Sequence, residues 1–424
     1  MSEKLSKNLV ISVFLLSLAG EIAWAVENQF YNDFIDETLI DLGFPWLSPI
    51  AIMLLVNITT VVGTIATIIM GSYSDIKGKR KPILLYGFIF WAITTAIFPL
   101  SALFGFLGVY FVIFMAILFD SIMTFFGGMA KNAGVNAYIT DVTNLKTRSK
   151  AVGIAQITVL LSLLIVYGAL GMLIDFIGYY TFFVLVGILV GLIGLLGVFK
   201  TEEPRGLEPM QISTYEHIKN TFKKKANVDY KAFIMVLLVI CAWQIALNII
   251  FPYLLVYLKH HLGNRMLSLV IFFVALVISI ILSYPIGKIT NKLGRKKTTF
   301  ISVICISIGY FAVGLSFDFI TYLISGVVVF VFYTALSVST FTWVKDLYPP
   351  EGRGQFSGYW NLFSGTIPML IGPLIGGTLS TVFGYTAIVG GEEVWMHPEL
   401  IFFAASIVVL ITLIPLYFAK EVKK

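Results

Sequence analysis

Twelve stretches of this chain run for about 20 residues or longer with almost no charge, and few folds can hold them. They lie near 8–34, 48–74, 83–104, 107–139, 151–174, 179–199, 232–258, 266–289, 298–316, 319–344, 355–383 and 399–418. A helix of ~20 apolar residues crosses the hydrocarbon of a bilayer. Inside that layer every backbone polar group must be satisfied within the segment, so each run is expected to be a helix. Composition agrees, since 58% of residues are hydrophobic and 12% charged, where soluble domains carry about 25% charged residues. The expectation is an all-α, multi-pass membrane protein.

All 29 Lys and Arg except Lys259 and Arg265 fall on or near the side that holds the N-terminus. By the positive-inside rule that side is cytoplasmic, both termini lie there, and the cell membrane is the expected location. The sequence pI of about 9.0 then reflects topology, and nucleic acid is not expected as a partner. The first run carries Glu21 and Glu27 and lacks a small-residue cleavage site, so it reads as a retained helix rather than a signal peptide. Cys241 and Cys305 lie inside apolar runs, which suggests neither a disulfide nor a metal site.

The second organising feature is a repeat. GSYSDIKGKRK at 71–81 is echoed by GKITNKLGRKK at 287–297, with Asp75 and Asn291, and Gly78 and Gly294, in register. Asp141, Arg148 and Gly153 likewise match Asp346, Arg353 and Gly358. Two loops recurring in the same order mark a duplicated unit. The expected organisation is a six-helix bundle over 1–200, a cytoplasmic linker over 201–230 and a second six-helix bundle over 231–424. MQISTYEHIKNTFKKK in the linker reads as an amphipathic helix beside anionic lipid. Arg80 can reach Asp141, and Asp75 can accept hydrogen bonds from amides at a helix N-terminus.

Ionisable groups deep in a span are costly and usually face a wet cavity. On the first run Glu21, Trp24, Asn28 and Tyr31 recur at helical spacing and share a face. Glu27 reads as a rim residue, and Asp33, Asp36, Glu37 and Asp41 as the solvated face of an outer loop. On the fourth run Asp120 and Lys131 share a face but stand roughly 16 Å apart, too far to pair with each other. Lys131 can snorkel toward the cytoplasm. Gln244 and Asn248 sit at i, i+4 ahead of Pro252, which frees backbone carbonyls. Asn361 precedes GTIPMLIGPLIGG, whose glycines make a thin helix for bending or tight packing. The four histidines, His217, His260, His261 and His397, read as loop residues, and neither a nucleophile elbow nor a phosphate loop is present, so an enzyme is not expected. No cofactor is called for.

Twelve helices in two repeats, with the 71–81 loop and its echo, resemble the major facilitator superfamily. That resemblance implies two pseudo-symmetric six-helix bundles, each an inverted 3+3 repeat, that give alternating access to a central site. GEIAWAVENQF, GSYSDIKGKRKP and FPYLL are similar to the glycoside-pentoside-hexuronide:cation symporters and the plant-type sucrose carriers. In those relatives a helix 1 carboxylate, matched by Glu21, and a helix 4 acid hold sugar. Asp120 lies two or more turns further from Asp141 than that acid, and Lys131 falls closer to its register. The sodium-coordinating acids of the melibiose carriers have no counterpart on the second run, and the fifth lacks the buried Arg of the sucrose carriers.

The resemblance implies a monomeric carrier in lipid that moves a small polar solute, a sugar or glycoside, with a proton rather than sodium. Substrate and proton are assigned to Glu21, Trp24, Asn28, Asp120, Lys131, Gln244, Asn248 and Asn361. Cytoplasmic gating is assigned to Asp75, Arg80, Asp141, Arg148, Asp346 and Arg353. The alternative is an exporter of amphipathic compounds, compatible with the GPLIGG helix and the 15% aromatic content.

Overall fold

A computed structural model describes residues 6–143, 147–204, 230–347 and 359–421. Helices account for nearly all of it, as apolar runs closing their own hydrogen bonds require. They are α1 (Lys7–Asp41), α2 (Pro45–Lys77), α3 (Lys81–Leu107) and α4 (Val109–Val142). The next apolar stretch, Gly153–Phe199, is broken at Gly178, whose φ of 71° suits a residue without a Cβ. Residues 148–177 are α5 and residues 179–199 are α6. Then follow α7 (Lys231–Leu262), α8 (Arg265–Leu293), α9 (Arg295–Gly314), α10 (Phe319–Asp346), α11 (Tyr359–Phe383) and α12 (Leu400–Phe418). With the break at Gly178 counted, the described residues hold the twelve spans expected.

The chain forms two compact units: the described residues of Met1–Thr38 with Ile58–Phe222, and those of Leu39–Asn57 with Lys223–Lys424. In the first unit α1 packs on α5 and α6, and α3 on α6; in the second α7 packs on α11 and α12, and α9 on α12. The repeat seen in two loops thus extends to which helices touch.

Small residues set how close those helices come. Gly187, Gly191, Gly194 and Gly197 line one side of α6, and a Cβ on Gly194 would lie 2.5 Å from the Phe88 ring. In α11 a Cβ on Gly372 would lie 2.5 Å from the Asn248 Cβ, and Gly376 abuts the Ile249 carbonyl of α7. The GPLIGG glycines therefore serve tight packing rather than a bend. As Pro252 foretold, α7 is interrupted, with a 3-10 turn at Phe251–Tyr253, and Tyr253 Oη donates to the Pro373 carbonyl at 3.1 Å.

Outside the charged clusters, the fold differs from the sequence reading in three places. Asn32–Asp41 continues α1 instead of forming an acidic loop, and Asp33 and Asp36 are fully buried because Phe34, Ile35 and Leu39 turn into the core beside them. Asp33 Oδ2 accepts from Tyr179 Oη at 2.5 Å. His260 and His261 lie in the last turn of α7, where the helix dipole favours cationic side chains, and His397 is buried, so these three are not open loop residues. His217 and the MQISTYEHIKNTFKKK segment lie outside the described residues.

Third, residues 384–398 hold an antiparallel hairpin, β1 (Tyr385–Val389) and β2 (Glu392–Met396). Its turn is Gly390 and Gly391, with φ of 64° and 95°. Trp395 pins it down, since Nε1 donates to the Ser380 carbonyl at 3.0 Å and its own carbonyl lies 3.1 Å from His260 Nδ1. Trp395→Ala is expected to cost about 2–3 kcal/mol, less than a fully buried Trp, and to lower the unfolding midpoint in detergent.

Candidate functional site

Within the first unit, α1 and α4 bring several charged side chains together in the interior of the spans. Lys131 Nζ is 2.7 Å from Glu21 Oε1 and 3.8 Å from the centre of the Trp24 ring, so one ammonium meets a carboxylate and an indole face. Lys131 is 8% exposed and does not snorkel, because Glu21 offers it a partner inside the unit. Gly20 leaves room for it: a Cβ there would sit 3.0 Å from Lys131 Cδ. Trp24 is backed edge-on by Trp91, at 6.3 Å between ring centres, and Trp91 in turn needs Gly127, where a Cβ would lie 3.0 Å from the indole.

Beyond Lys131 lies a second acidic group. Thr124 Oγ1 donates to Glu27 Oε1 at 2.9 Å and stands 3.5 Å from Asp120 Oδ1, so one hydroxyl bridges two carboxylates from α1 and α4. Asp120 is 2% exposed, and Glu27 Oε2 is buried with no hydrogen-bond partner. Thr124 is held by α2, since a Cβ on Gly63 would meet its methyl at 2.8 Å. Tyr31, fully buried, is stacked on Phe98 and donates to Met123 Sδ at 3.2 Å.

Glu27 is the residue that the sequence left at the rim. α1 is a π-helix over Glu27–Tyr31 and α4 is one over Gly128–Val135, the turn that bears Lys131. A π turn shifts the face of everything after it and is frequent at functional sites. Counting at 3.6 residues per turn therefore does not hold from Glu21 to Tyr31, whereas Glu27 read as a rim residue because it lies nearer the outer end of the run. Asn28 spends its amide on its own helix, with Nδ2 donating to the Trp24 carbonyl at 2.7 Å.

The remaining solute candidates belong to the second unit. Asn248 is buried, donates to the Gln244 carbonyl at 2.8 Å and backs onto Gly372, so it packs helices. Gln244 is half-buried and Asn361 exposed. Trp243 is fully buried among Tyr333 and Phe341, a core position.

The repeated loops make two clasps, each inside its own unit. Arg80, 4% exposed, holds Asp141 at 2.7 Å, Asp75 at 2.5 Å and Ser74 Oγ at 2.7 Å. Burial works against its charge, but Asp141 and Asp75 outweigh that and hold the guanidinium above its ordinary value. In the second unit Arg295 holds Asp346 at 2.9 Å. Arg80 thus matches Arg295 in role, one residue off the sequence register, in which Lys79 aligns with it.

Glu203 accepts from the Arg80 and Lys81 amides, both at 3.0 Å, and Glu421 accepts from the Arg295 amide at 2.5 Å. Both carboxylates cap a helix N-terminus, the role foreseen for Asp75. Arg148 opens α5, its side chain lying outside the described residues, as does all of Arg353. Arg80→Ala is expected to destabilise the first unit by about 2–4 kcal/mol, the partial exposure of both acids keeping it below a fully buried network. Thermal unfolding in detergent reads it.

The sequence model of the Major Facilitator Superfamily matches residues 9–341 and, overlapping, 246–424. No curated protein matches the chain. Among solved structures it is similar to a D-xylose–proton symporter (16% identity, TM-score 0.71, 97% of this chain and 98% of that one). It is also similar to a bacterial homolog of the human lysosomal transporter Spinster (14%, 0.71, 97% and 96%) and to the nucleoside transporter NupG (12%, 0.67, 97% and 100%).

Proposed function

Because the chain belongs to the major facilitator superfamily, a family of membrane transporters and not enzymes, we propose that it carries a sugar or glycoside together with a proton. The observation that carries this reading is the buried cluster of Glu21, Lys131 and Trp24 beside Glu27, Thr124 and Asp120. Three carboxylates face one ammonium inside a membrane span. Ionised groups without counter-charge are expensive there, and a proton on the Glu27 and Asp120 pair removes one of the two surplus negative charges. The same acids accept hydrogen bonds from hydroxyls, and Trp24 offers an apolar face to a sugar ring. Glu27 thus joins Glu21, Trp24, Asp120 and Lys131 as a proton and solute residue. The likeness to a xylose–proton symporter supports the reading. So does the likeness of GEIAWAVENQF to the glycoside symporter and sucrose carrier branch.

The exporter alternative drew on the GPLIGG helix, and those glycines are occupied by packing against α7. In the proposed reading the carrier is a cell-membrane monomer with both termini in the cytoplasm, and the Arg80 and Arg295 clasps act on the cytoplasmic side.

Purified protein in proteoliposomes, offered a panel of labelled sugars, tests the reading. Uptake driven by an imposed inward proton gradient is expected. Uptake driven only by sodium overturns the proton assignment. Growth on sugars against resistance to drugs, in one deletion strain, separates import from export.

A further inference from the structure

Lys131 is the only cation in the first unit's buried cluster, and two of the three acids compete for it. It touches Glu21 and lies within electrostatic reach of Glu27. Glu21 and Glu27 are six residues apart, roughly 9 Å along α1, and the ammonium, from a chain that passes Gly20, already lies over Trp24, which stands between them in the sequence. Its root is in the π segment of α4, and Gly20 gives its methylenes free space. In the position observed, the ammonium covers the two groups best suited to hold a sugar, the Glu21 carboxylate and the Trp24 face.

Resting on the reading above, we propose that Lys131 is the positioning residue that couples proton to solute. With a proton shared by Glu27 and Asp120, the ammonium rests on Glu21 and Trp24. When that proton leaves to water, the second carboxylate of the pair is ionised as well and Lys131, still an ammonium, moves to Glu27. Glu21 and Trp24 are then uncovered for solute, and reprotonation returns the lysine. The other ionisable groups near this path are Tyr31, which faces Asp120 and Glu27, Tyr167 of α5 across Phe30, and Asp33 with Tyr179 of α6. None of these is a cation that could take the place of Lys131.

Trp24 reports the motion without any solute, because an ammonium 3.8 Å from an indole face interacts with it directly. The Trp24 contribution to fluorescence is obtained as the difference between the wild type and Trp24→Phe across a pH titration of the detergent-purified protein. A single pH-dependent transition is expected in the wild type. It is expected to disappear in Glu27→Gln/Asp120→Asn, and to disappear in Lys131→Met with emission held at the wild-type high-pH value. If Lys131→Met fails to fold, Glu21→Gln/Lys131→Met, which removes both charges, carries the same expectation.

A wild-type transition that survives in the Lys131 variants overturns the proposal, as does its absence in the wild type. The two readings fail separately. Uptake indifferent to a proton gradient sinks the symport reading, while proton-driven uptake with no Lys131-dependent Trp24 transition sinks only this one.

Discussion

Glu21→Gln abolishes accumulation of solute against a gradient in proteoliposomes and leaves solute exchange at a reduced rate. The substitution preserves size and one hydrogen-bond acceptor but strips the charge that lies 2.7 Å from Lys131. Removing one partner of a buried ion pair typically costs about 3–5 kcal/mol, because the other charge is left in a low dielectric. Glu27 softens that loss, being close enough to attract the same ammonium. A fall in unfolding midpoint is therefore expected alongside the loss of coupling.

The double variant Glu21→Gln/Lys131→Met separates the two effects. With both charges gone the desolvation penalty disappears, and thermal stability is expected to return most of the way to wild type. Uphill uptake is not. Full accumulation by Glu21→Gln would remove Glu21 from the coupling role.

Gly376→Val unfolds or severely destabilises the second unit. Any Cβ at this position meets the Ile249 carbonyl and approaches the Tyr253 ring at 2.8 Å. A side-chain clash relaxes by a rotamer change, but a carbonyl moves only with its helix, here next to the 3-10 turn at Phe251–Tyr253. Overpacking a well-filled site costs about 1–3 kcal/mol, and a β-branched residue against backbone belongs at or above the top of that range. Gly365→Ala is the control, because a Cβ there meets nothing within 4 Å. Size-exclusion profiles and thermal unfolding of the two variants should diverge sharply. If Gly376→Val is as stable as Gly365→Ala, α7 and α11 do not approach as described.

The fold was largely written in the order of the residues. Long apolar runs can do little in a bilayer except form helices, and the two loop repeats announced a duplication that recurs in the pairing of α1 with α5 and α6 and of α7 with α11 and α12. Pro252 marked the break in α7. Gly-Gly between two short alternating segments, YTAIV and EEVWM, was a hairpin signal available in the sequence and passed over.

The site was legible as a set of residue types and not as a geometry. Glu21, Trp24, Asp120 and Lys131 stand out because ionisable groups are rare at that depth. Which of them meet could not be read, since α1 and α4 each contain a π segment that shifts the register by which faces are counted. Glu27 read as a rim residue from its depth alone, and depth does not show that Thr124 of α4 lies against it. Asn248 backs onto Gly372, which residue order does not reveal, because an amide at that spacing looks the same whether it faces water or a neighbouring glycine.

By itself the sequence determined the solvent, the number of spans and the duplication, because these follow from the cost of exposing polar groups to hydrocarbon, a property of each segment alone. Only the tertiary structure decided that Lys131 lies on Glu21 and Trp24, that Thr124 bridges Glu27 and Asp120, and that Arg80 and Arg295 play one role a residue out of register. Those pairings depend on distances of a few ångströms between segments far apart in the chain, and residue order carries no measure of such distances.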